Sequence, residues 1–350
     1  MKRAIELARH GLGRTAPNPP VGAVIVKDGR IIGEGFHPQA GLPHAEIHAL
    51  QAATENPRGA TLYVTLEPCC HTGRTPPCTE ALIQAGLARV VIGAGDPHPM
   101  VSGNGAARLR QAGIAVEEGV CGQEVEELIR WYAHWTRHKR AYALVKAAIT
   151  MDGRIAAFGG DSRWISSEVS RALVHARRNE VDAVLVGAGT VLRDDPQLTC
   201  RIPGGRDPIR VILDRDLLLS SKAKCLGPKC IVLTAQDPDS RPELSMGGTR
   251  IIPMKRNESG RISWREILEL LGGLGFHAVM IEGGKGIYSS IIQAGLFDRF
   301  DLFMAPKLLG GGIPLLDLGA LQNMDQALPL RINSARLMGG DLFIEAYPEG

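Results

Sequence analysis

Short β-rich runs alternate with stretches of helical periodicity along this 350-residue chain, and this alternation limits the possible folds more than any other feature. Residues 23–36 form two β-rich runs around Asp28-Gly29, a dipeptide typical of tight hairpins. Further strands are predicted at 62–66, 89–94 and 114–120, and helices at 44–53, 79–85, 106–112 and 124–136. Pro43 is predicted at the first helical position of the 44–53 helix. The first part of the chain is therefore predicted to be a three-layer α/β domain.

The basic run 137–140 separates this part from a second series of strands. Such a run is typical of a solvated linker, so we predict two domains, 1–140 and 141–350. A strand is predicted at 142–150, and further β-rich runs begin at positions 183, 209, 229, 249, 278 and 300. Helical stretches at 263–271 and 286–294 and a terminal hairpin at 337–343 complete the pattern. It indicates a second α/β domain with a mostly parallel sheet and an antiparallel edge.

The composition excludes several classes of protein. The chain has 44% hydrophobic residues and a net charge of only +3, so no strong field favours nucleic acid or an anionic membrane as a partner. No stretch approaches the ~20 apolar residues of a membrane span, and Glu6 and Arg9 interrupt the apolar residues at the start. We expect a cytoplasmic protein.

The cysteines and histidines indicate where the chemistry lies. Seven cysteines in a long chain of this kind favour free thiols or a metal site over a disulfide framework. Eight of the ten histidines precede residue 141. The two domains are therefore expected to perform different chemistry.

One constellation in the first domain predicts a catalytic zinc site. His44, Cys69 and Cys78 offer one imidazole and two thiolates, the ligand count of a zinc ion that keeps its fourth position for water. Zinc lowers the pKa of that water, and a neighbouring carboxylate must move the protons. Glu46 is the predicted carboxylate, because His-x-Glu followed by Pro-Cys and a second Cys is the signature of zinc-dependent nucleobase deaminases. Since positions i and i+2 point ~200° apart on an ideal helix, His44 is expected in an irregular first turn.

Other residues could compete for the metal. The signature usually has two residues between its cysteines, whereas eight separate Cys69 from Cys78, so Cys70 is an alternative ligand. Adjacent thiolates rarely reach one metal, and Cys70 is therefore assigned to packing. His48 and His71 could also be proposed as ligands, but a core or surface position is expected for His48.

Four motifs of this domain closely resemble the bifunctional riboflavin biosynthesis deaminase/reductase family. They are PNPPVGAVI at 17–25, GEGFH at 33–37, PHAE at 43–46 and EPCCHTGRTPPC at 67–78, whose long insert is the family's own variant. The resemblance implies a cytidine-deaminase-like fold, with Asn18, His37 and Arg74 contacting the pyrimidine or its ribose phosphate. His98 stands where Asn is expected in the family, so its role stays open, and Cys70 stands where the family more often has Ser, so no catalytic role is assigned to it.

The second domain lacks a complete dinucleotide-binding fingerprint. Gly187-Ala188-Gly189 supplies only its first half, which is weak evidence. Residues 278–286 form a buried strand that runs through glycines into a helix, where backbone amides and the helix N-terminus could bind an anion. From these residues alone, an ordinary strand-to-helix turn is equally expected.

The second half resembles the reductase half of the same family, through VKAAITMDGRIA at 145–156, SRWIS at 162–166, DAVLVG at 182–187 and the 189–201 segment. The resemblance implies a dihydrofolate-reductase-like fold that uses NADPH. It assigns substrate binding to Ser162, Arg178, Leu198, Arg201 and Glu282. It assigns cofactor binding to Ala148, Trp164, Thr190, Asp194 and the turn of Gly284, Lys285, Gly286, Ile287, Tyr288, Ser289 and Ser290. From the residues alone, Trp164 is as readily a core aromatic, and only one of Arg177 and Arg178 need face the ligand.

The implied activity is a pair of consecutive reactions. The first removes the 2-amino group of 2,5-diamino-6-ribosylamino-4(3H)-pyrimidinone 5′-phosphate, and the second reduces the ribosyl product to the ribityl compound. Reduction at C1′ opens the sugar and requires an acid, for which Lys146, Asp194 and Glu282 are unranked candidates. The family also implies a homo-oligomer that associates through the reductase half.

Three other hypotheses remain at this point. A deaminase of tRNA or DNA would need a basic face with aromatic residues, but residues 141–350 hold 25 Lys and Arg against 24 Asp and Glu. A zinc-stabilised metabolite sensor would unfold on chelation without turnover. One of the two halves could also have lost its activity.

Overall fold

The computed structural model describes residues 1–71, 76–99 and 101–349. The chain divides into two compact units, Met1–Lys139 and Arg140–Gly350. The basic run at their junction is not a linker, because its first two residues end a helix and Lys139 caps that helix with a left-handed backbone (φ 55°). The guanidinium of Arg140 then donates two hydrogen bonds, of 2.8 and 2.7 Å, to the carboxylate of Asp298.

The first unit contains six helices and five strands among its described residues. They are α1 (Lys2–Arg9), β1 (Gly22–Lys27), β2 (Arg30–Phe36), α2 (Ala45–Gln51), β3 (Thr61–Leu66), α3 (Cys78–Gln84), β4 (Arg89–Ala94), α4 (Asn104–Gln111), β5 (Ala115–Glu118), α5 (Gly122–Leu128) and α6 (Arg130–His138).

These strands form one sheet in the order β2-β1-β3-β4-β5. The β1–β2 hairpin is confirmed, and its turn residues Asp28 and Gly29 have φ of 48° and 76°, as a type I′ turn requires. β1 also pairs antiparallel with β3, whereas β3, β4 and β5 are parallel. The carboxyl ends of β3 and β4 therefore open at the same edge of the sheet.

The predicted three-layer arrangement is confirmed by the packing of the two sheet faces. One face of β1, with Ala23 and Ile25, packs under Ala49 of α2 and Leu82 of α3. The alternate residue Val24 faces α1 on the other side of the sheet. This alternation follows from the two-residue period of a strand.

Two sequence predictions in this unit are wrong in detail. Helix α2 begins after His44, whose backbone is extended (φ −73°, ψ 166°), so Pro43 precedes the N-cap instead of occupying the first turn. The predicted closing helix is two helices, because at Ile129 (φ −95°, ψ 8°) the chain leaves the helical conformation between α5 and α6.

The described part of the second unit has eleven strands, four α-helices and three short 3₁₀ turns. The α-helices and strands are β6 (Tyr142–Thr150), β7 (Arg154–Ala156), α7 (Glu168–Glu180), β8 (Ala183–Gly187), α8 (Ala188–Asp194), β9 (Ile209–Leu213), β10 (Cys230–Thr234), β11 (Arg250–Pro253), α9 (Trp264–Gly273), β12 (Ala278–Ile281), α10 (Lys285–Gln293), β13 (Arg299–Ala305), β14 (Ile313–Pro314), β15 (Leu330–Met338) and β16 (Asp341–Pro348).

Nine of these strands form one sheet in the order β11-β10-β9-β8-β12-β6-β13-β16-β15. The strands from β11 to β13 are parallel, and β13–β16–β15 are antiparallel, as predicted. Its core packs α9 and α10 against the central strands β6 and β12. Within the described residues, no helix has both the length and the hydropathy needed to cross a membrane.

Candidate active sites

The three predicted zinc ligands come from three separate backbone positions of the first unit. His44 is the N-cap of α2, Cys69 lies in the loop after β3, and Cys78 is the first residue of α3. Because the backbone of His44 is extended, its ring can face the same space as Glu46 two residues later. The expected irregularity of the chain at His44 is therefore present, one position before the helix.

The donor atoms of these residues lie close enough for one metal ion. The Nδ1 atom of His44 is 3.3 Å from Sγ of Cys78 and 3.6 Å from Sγ of Cys69, and all three donors lie within 4.8 Å of one another. Tetrahedral zinc, with bonds of ~2.3 Å to sulfur and ~2.0 Å to nitrogen, requires nitrogen–sulfur separations of about 3.5 Å. The residues present therefore fit zinc.

Among the three donors, Cys69 is the one whose surroundings favour the thiolate that binds a metal. A hydrogen bond from the Cys78 thiol and a further one from His44 lower the pKa of Cys69 to about 4, although burial opposes this. The hydrogen bond to Cys69 raises the pKa of His44. The thiol of Cys78 donates the hydrogen bond to Cys69, and this raises the pKa of Cys78. Of the two cysteines, Cys69 is therefore the one that carries the thiolate.

Glu46 is the carboxyl group of this site. It is 3% exposed, and burial together with the nearby Cys69 raises its pKa to about 6. A carboxyl group with a pKa near the working pH can both accept and release a proton, which a surface glutamate does less well.

Asn18 and His37 line a cavity of about 380 Å³ together with His44, Glu46 and Cys69. The ring of His37 is buried and uses both nitrogens, with Nδ1 3.1 Å from the carbonyl oxygen of Pro43 and Nε2 3.0 Å from Nδ2 of Asn18. Burial lowers the pKa of His37, so its Nδ1–H donates to Pro43 and its Nε2 accepts from the Asn18 amide. This orientation leaves Oδ1 of Asn18 as the acceptor of the pair.

The other sequence candidates of this unit differ in their position. Among the described residues, Cys70 and His48 do not belong to the cluster of metal donors, whereas His71 and His98 line the cavity. Arg74 lies outside the described residues.

Several cavity residues were missed by sequence reasoning. Tyr132 and Trp135 of α6 and Asp96 after β4 line the cavity, and the Tyr132 hydroxyl donates to Oδ1 of Asp96 at 3.1 Å. Glu67 also lines it and accepts backbone hydrogen bonds from Gly103 (2.9 Å) and from Ala106 in the first turn of α4 (3.0 Å). An i, i+3 aromatic pair on a helix was the one available signal for Tyr132 and Trp135.

The second unit contains a cavity of about 2070 Å³. It is lined by every residue predicted for the reductase site, namely Lys146, Ala148, Ser162, Trp164, Arg178, Thr190, Asp194, Leu198, Arg201, Glu282, Gly284, Lys285, Gly286, Ile287, Tyr288, Ser289 and Ser290. These positions span 145 residues of sequence, and the parallel strands bring them to one edge of the sheet.

A charged cluster lies just after the end of β12, beside the middle of β6. Arg178 donates two hydrogen bonds to the carboxylate of Glu282, at 2.8 and 3.0 Å, and Nζ of Lys146 is 4.0 Å from the same carboxylate. Burial would raise the pKa of Glu282, but the charges of Arg178 and Lys146 outweigh it and lower the value to about 2. Burial lowers the pKa of Lys146, and Glu282 partly restores it. Of the two arginines in question, Arg178 faces the cavity, whereas Arg177 lies 3.6 Å from Asp301.

The glycine turn before α10 has a structure that suits the binding of an anion. Gly284 is the N-cap of α10, and a Cβ at Gly286 would meet no atom within 4 Å, so the backbone amides at this end of the helix are accessible. These first amides have no partner within the helix. The hydroxyl groups of Tyr288, Ser289 and Ser290 instead donate to backbone carbonyls of the protein. The turn therefore fits a phosphate group through its backbone.

Two further predicted residues have unusual environments. Trp164 is 60% exposed, so it is not a core aromatic, and the guanidinium of Arg171 lies 4.5 Å from the centre of its ring. Leu198 is buried with a left-handed backbone (φ 57°), a conformation that a leucine rarely adopts outside constrained sites. His175, which lies one turn before Arg178 on α7 and also lines the cavity, was missed by sequence reasoning.

The first unit carries three zinc donors beside a buried glutamate, and the second α/β unit carries a large cavity with a charged cluster. These features define a zinc-dependent deaminase fused to a second enzyme domain. Comparison with known proteins supports both parts. Residues 1–94 match the cytidine and deoxycytidylate deaminase zinc-binding region, and residues 141–344 match the RibD C-terminal domain.

Full-length relatives share both parts. The riboflavin biosynthesis protein RibD of Aquifex aeolicus is 43% identical over 98% of this chain and 96% of its own length. A solved structure of Acinetobacter baumannii RibD is 38% identical with a TM-score of 0.90, covering 100% of this chain and 98% of that one. A solved deaminase/reductase from Thermotoga maritima, named for a diaminohydroxyphosphoribosylaminopyrimidine and a phosphoribosylaminouracil, is 42% identical with a TM-score of 0.87, covering 99% and 97%.

The chain belongs to the RibD family of riboflavin biosynthesis proteins. It is a bifunctional enzyme with a zinc-dependent deaminase part and an NADPH-dependent reductase part, as the sequence predicted. The predicted fold class, with a cytidine-deaminase-like first part and a RibD reductase second part, is likewise confirmed.

Proposed function

We propose that the chain performs two successive reactions on one pyrimidine ribose phosphate, with deamination in domain 1–140 and reduction in domain 141–350. The substrate is 2,5-diamino-6-ribosylamino-4(3H)-pyrimidinone 5′-phosphate, and the final product is 5-amino-6-ribitylaminouracil 5′-phosphate. The observation that carries the first reaction is the cluster of zinc donors within 4.8 Å beside buried Glu46. The name of the Thermotoga maritima relative supports the choice of substrate.

Nδ1 of His44 and Sγ of Cys69 and Cys78 would hold the zinc. When bound in such a site, zinc makes a water molecule acidic enough to act as a nucleophile near neutral pH. Glu46 takes up the proton that the water loses and delivers it to the amino group that leaves as ammonia. Its buried carboxyl, with a pKa near 6, suits both roles.

Asn18 and His37 would orient the pyrimidine. Both ring nitrogens of His37 are used within the protein, so His37 acts by fixing the amide of Asn18, whose Oδ1 is then presented as an acceptor. A pyrimidine that carries ring N–H and amino groups offers the matching donors. Arg74 is proposed for the ribose phosphate by family resemblance alone.

In the reductase, the backbone amides at Gly284, Lys285 and Gly286 would bind the cofactor phosphates, and Trp164, Thr190, Asp194 and the backbone of Ala148 would complete the site. When bound, NADPH supplies the hydride. The remaining lining residues Ser162, Arg178, Leu198, Arg201 and Glu282 are assigned to the substrate.

Lys146 is the acid that we propose for the reduction. Glu282 is held ionised by Arg178 and Lys146, with a pKa near 2, and therefore carries no proton to give at neutral pH. The ammonium of Lys146 lies 4.0 Å from that carboxylate and borders the cavity, where it can protonate the sugar oxygen as the ring opens. Asp194, the third candidate, is kept for the cofactor.

We also propose that the protein is a cytoplasmic homo-oligomer that associates through the reductase domain. β15 is the edge strand of the nine-stranded sheet and exposes Ile332 (61%) and Leu337 (81%). Exposed apolar edge strands of this kind are covered in stable proteins. Light scattering on wild type and Ile332→Lys tests the proposal, because a monomeric wild type would contradict it.

The decisive experiment supplies the diaminopyrimidinone phosphate together with NADPH and follows ammonia and NADPH oxidation in the same sample. Glu46→Gln is expected to lower ammonia release by ~10²-fold or more, because the proton carrier is lost, while zinc content is kept. The same variant should oxidise NADPH normally on the deaminated substrate. Loss of both activities would contradict the division between the domains.

The ligand set is tested by zinc content. Cys78→Ser should deplete the metal, because a serine hydroxyl is a poor zinc ligand. Cys70→Ser is the matched control and should retain full zinc. Full zinc in Cys78→Ser, or depletion in Cys70→Ser, would show that the ligand assignment is wrong.

A further inference from the structure

The wall of the deaminase cavity is built from two different parts of the sequence. The zinc donors, Glu46, Asn18 and His37 all belong to residues 1–94, which match the general deaminase zinc-binding region. Other lining residues lie between position 94 and position 141, in a segment that neither family match covers: Asp96, His98, Val101, Tyr132 and Trp135. The groups that perform the reaction thus belong to the first part, whereas the lining residues of the second part can serve to distinguish substrates.

Two aromatic residues of α6 form part of this second wall. Tyr132 and Trp135 are three residues apart and therefore lie on one face of the helix. Their ring centres are 6.4 Å apart, with 32° between the ring planes. Tyr132 is only 6% exposed, and its hydroxyl is held by Asp96, so it supports the wall more than it offers surface to a ligand.

Of the two aromatic residues of α6, Trp135 is the one that offers accessible surface. It is half-buried and borders the cavity, and the ammonium of Lys139 lies 5.3 Å from the centre of its ring. An indole held in this way by Tyr132 and Lys139 gives a fixed apolar surface beside the polar groups of Asn18 and Glu46. Planar nitrogen heterocycles stack favourably on such a surface.

We propose that Trp135 is a specificity-determining residue of the deaminase, whose indole contacts the face of the pyrimidine ring while Asn18 contacts its edge. This inference rests on the proposed deamination of a pyrimidine ribose phosphate and adds the residue that selects the ring. Trp135 does not contact the amino group that leaves, so it contributes to binding and not to proton transfer.

The test measures ammonia release in the full-length, zinc-loaded enzyme for wild type, Trp135→Leu, Trp135→Phe and Trp131→Leu. Trp131 is the matched control, because it is a half-buried tryptophan of the same helix and is not among the described residues that line the cavity. Trp135→Leu is expected to raise KM about tenfold to a hundredfold, the usual cost of losing a stacked aromatic, with kcat changed less than about threefold. Trp135→Phe should recover most of the loss, and Trp131→Leu should stay within about twofold of wild type.

A second measurement separates a ring contact from a general effect on folding. Ribose 5-phosphate lacks the pyrimidine, so its inhibition constant against ammonia release should be equal in wild type and Trp135→Leu. Zinc content and NADPH oxidation on the deaminated substrate should also be equal. A matching rise in that inhibition constant, or a fall in kcat without a change in KM, would overturn the role of Trp135 as a ring contact.

The outcomes distinguish this inference from the proposed function. A wild type that releases ammonia, with a Trp135→Leu variant of unchanged KM, refutes the role of Trp135 alone. An equal rise of KM in Trp131→Leu refutes it as well, because the effect would then belong to the helix. A wild type that releases no ammonia from this substrate refutes the proposed function and this inference together.

Discussion

Replacement of Glu282 by Gln should move the alkaline limit of the reductase to lower pH. The proposed acid, Lys146, must be protonated to act, so activity falls as the pH rises through its pKa. Burial lowers that pKa and the Glu282 carboxylate raises it. Removal of the negative charge therefore lowers the pKa of Lys146 further, and the positive charge of Arg178, left without its partner, acts in the same direction.

The size of the effect follows from the 4.0 Å between Nζ of Lys146 and Oε2 of Glu282. At an effective dielectric constant of ~20, two unit charges at this distance interact by about 4 kcal/mol. Because 1.36 kcal/mol corresponds to one pKa unit, the alkaline limit of activity should move by up to ~3 pH units. Solvent at the cavity screens the charges and reduces this shift toward ~1 pH unit.

The assay is the pH dependence of kcat/KM for NADPH oxidation on the deaminated ribosyl substrate. The informative quantity is the pH at which kcat/KM falls on the alkaline side, because weaker substrate binding changes only the height of the profile. Glu180→Gln is the control, because Glu180 lies on α7, pairs with Arg177 and does not line the described cavity. An alkaline limb that stays in place in Glu282→Gln, or that moves to higher pH, would refute Lys146 as the acid.

Three further predictions concern positions that support the sites. His37→Phe removes both hydrogen bonds of the buried ring, worth about 1 kcal/mol each, and should raise the KM for deamination at least tenfold with zinc content unchanged. An unchanged KM would contradict the proposal that His37 fixes the amide of Asn18. Gly105→Ala would place a Cβ atom 2.1 Å from the carbonyl oxygen of Pro68, which precedes the predicted zinc ligand Cys69, so calorimetry should show a destabilisation of about 1–3 kcal/mol. A normal melting temperature would show that α4 shifts without cost. Arg299→Leu leaves the buried carboxylate of Asp301 without the two hydrogen bonds, of 2.6 and 3.1 Å, that Arg299 donates, and denaturant unfolding should show a loss of about 3–5 kcal/mol. A loss below about 1 kcal/mol would mean that Asp301 finds another partner.

Local sequence signals predicted most of the secondary structure. The Asp28-Gly29 turn, the strands β4 and β6 and the stop of α3 before Gly86 lie where the patterns indicated, because each depends on residues within a few positions of one another. The predictions failed where local propensity does not decide. At Ile129 a helical pattern continues in the sequence, but the backbone turns so that α5 and α6 pack separately. The charges of the basic run predict a linker, whereas Arg137 and His138 form the end of α6 and Lys139 caps it.

The candidate sites divide in the same way. The zinc donors and Glu46 belong to short motifs, whose chemistry requires those residue types at that spacing, and the sequence alone was enough to select them. Nothing local connects Arg178 with Glu282, which are 104 residues apart, or Trp135 with the zinc donors.

The sequence by itself predicted the two α/β domains, the zinc-ligand set and the proton carrier, and its motifs indicated the family. Only the tertiary structure decided which groups share an environment. The charges of Arg178 and Lys146 outweigh burial and lower the pKa of Glu282 to about 2, which is why Lys146 is the proposed proton donor. These effects depend on distances of 3–4 Å between distant parts of the chain. Electrostatic energy and desolvation depend on position in space and not on order along the chain. For that reason the acid of the reductase and the ring contact of the deaminase could be proposed only from the folded protein.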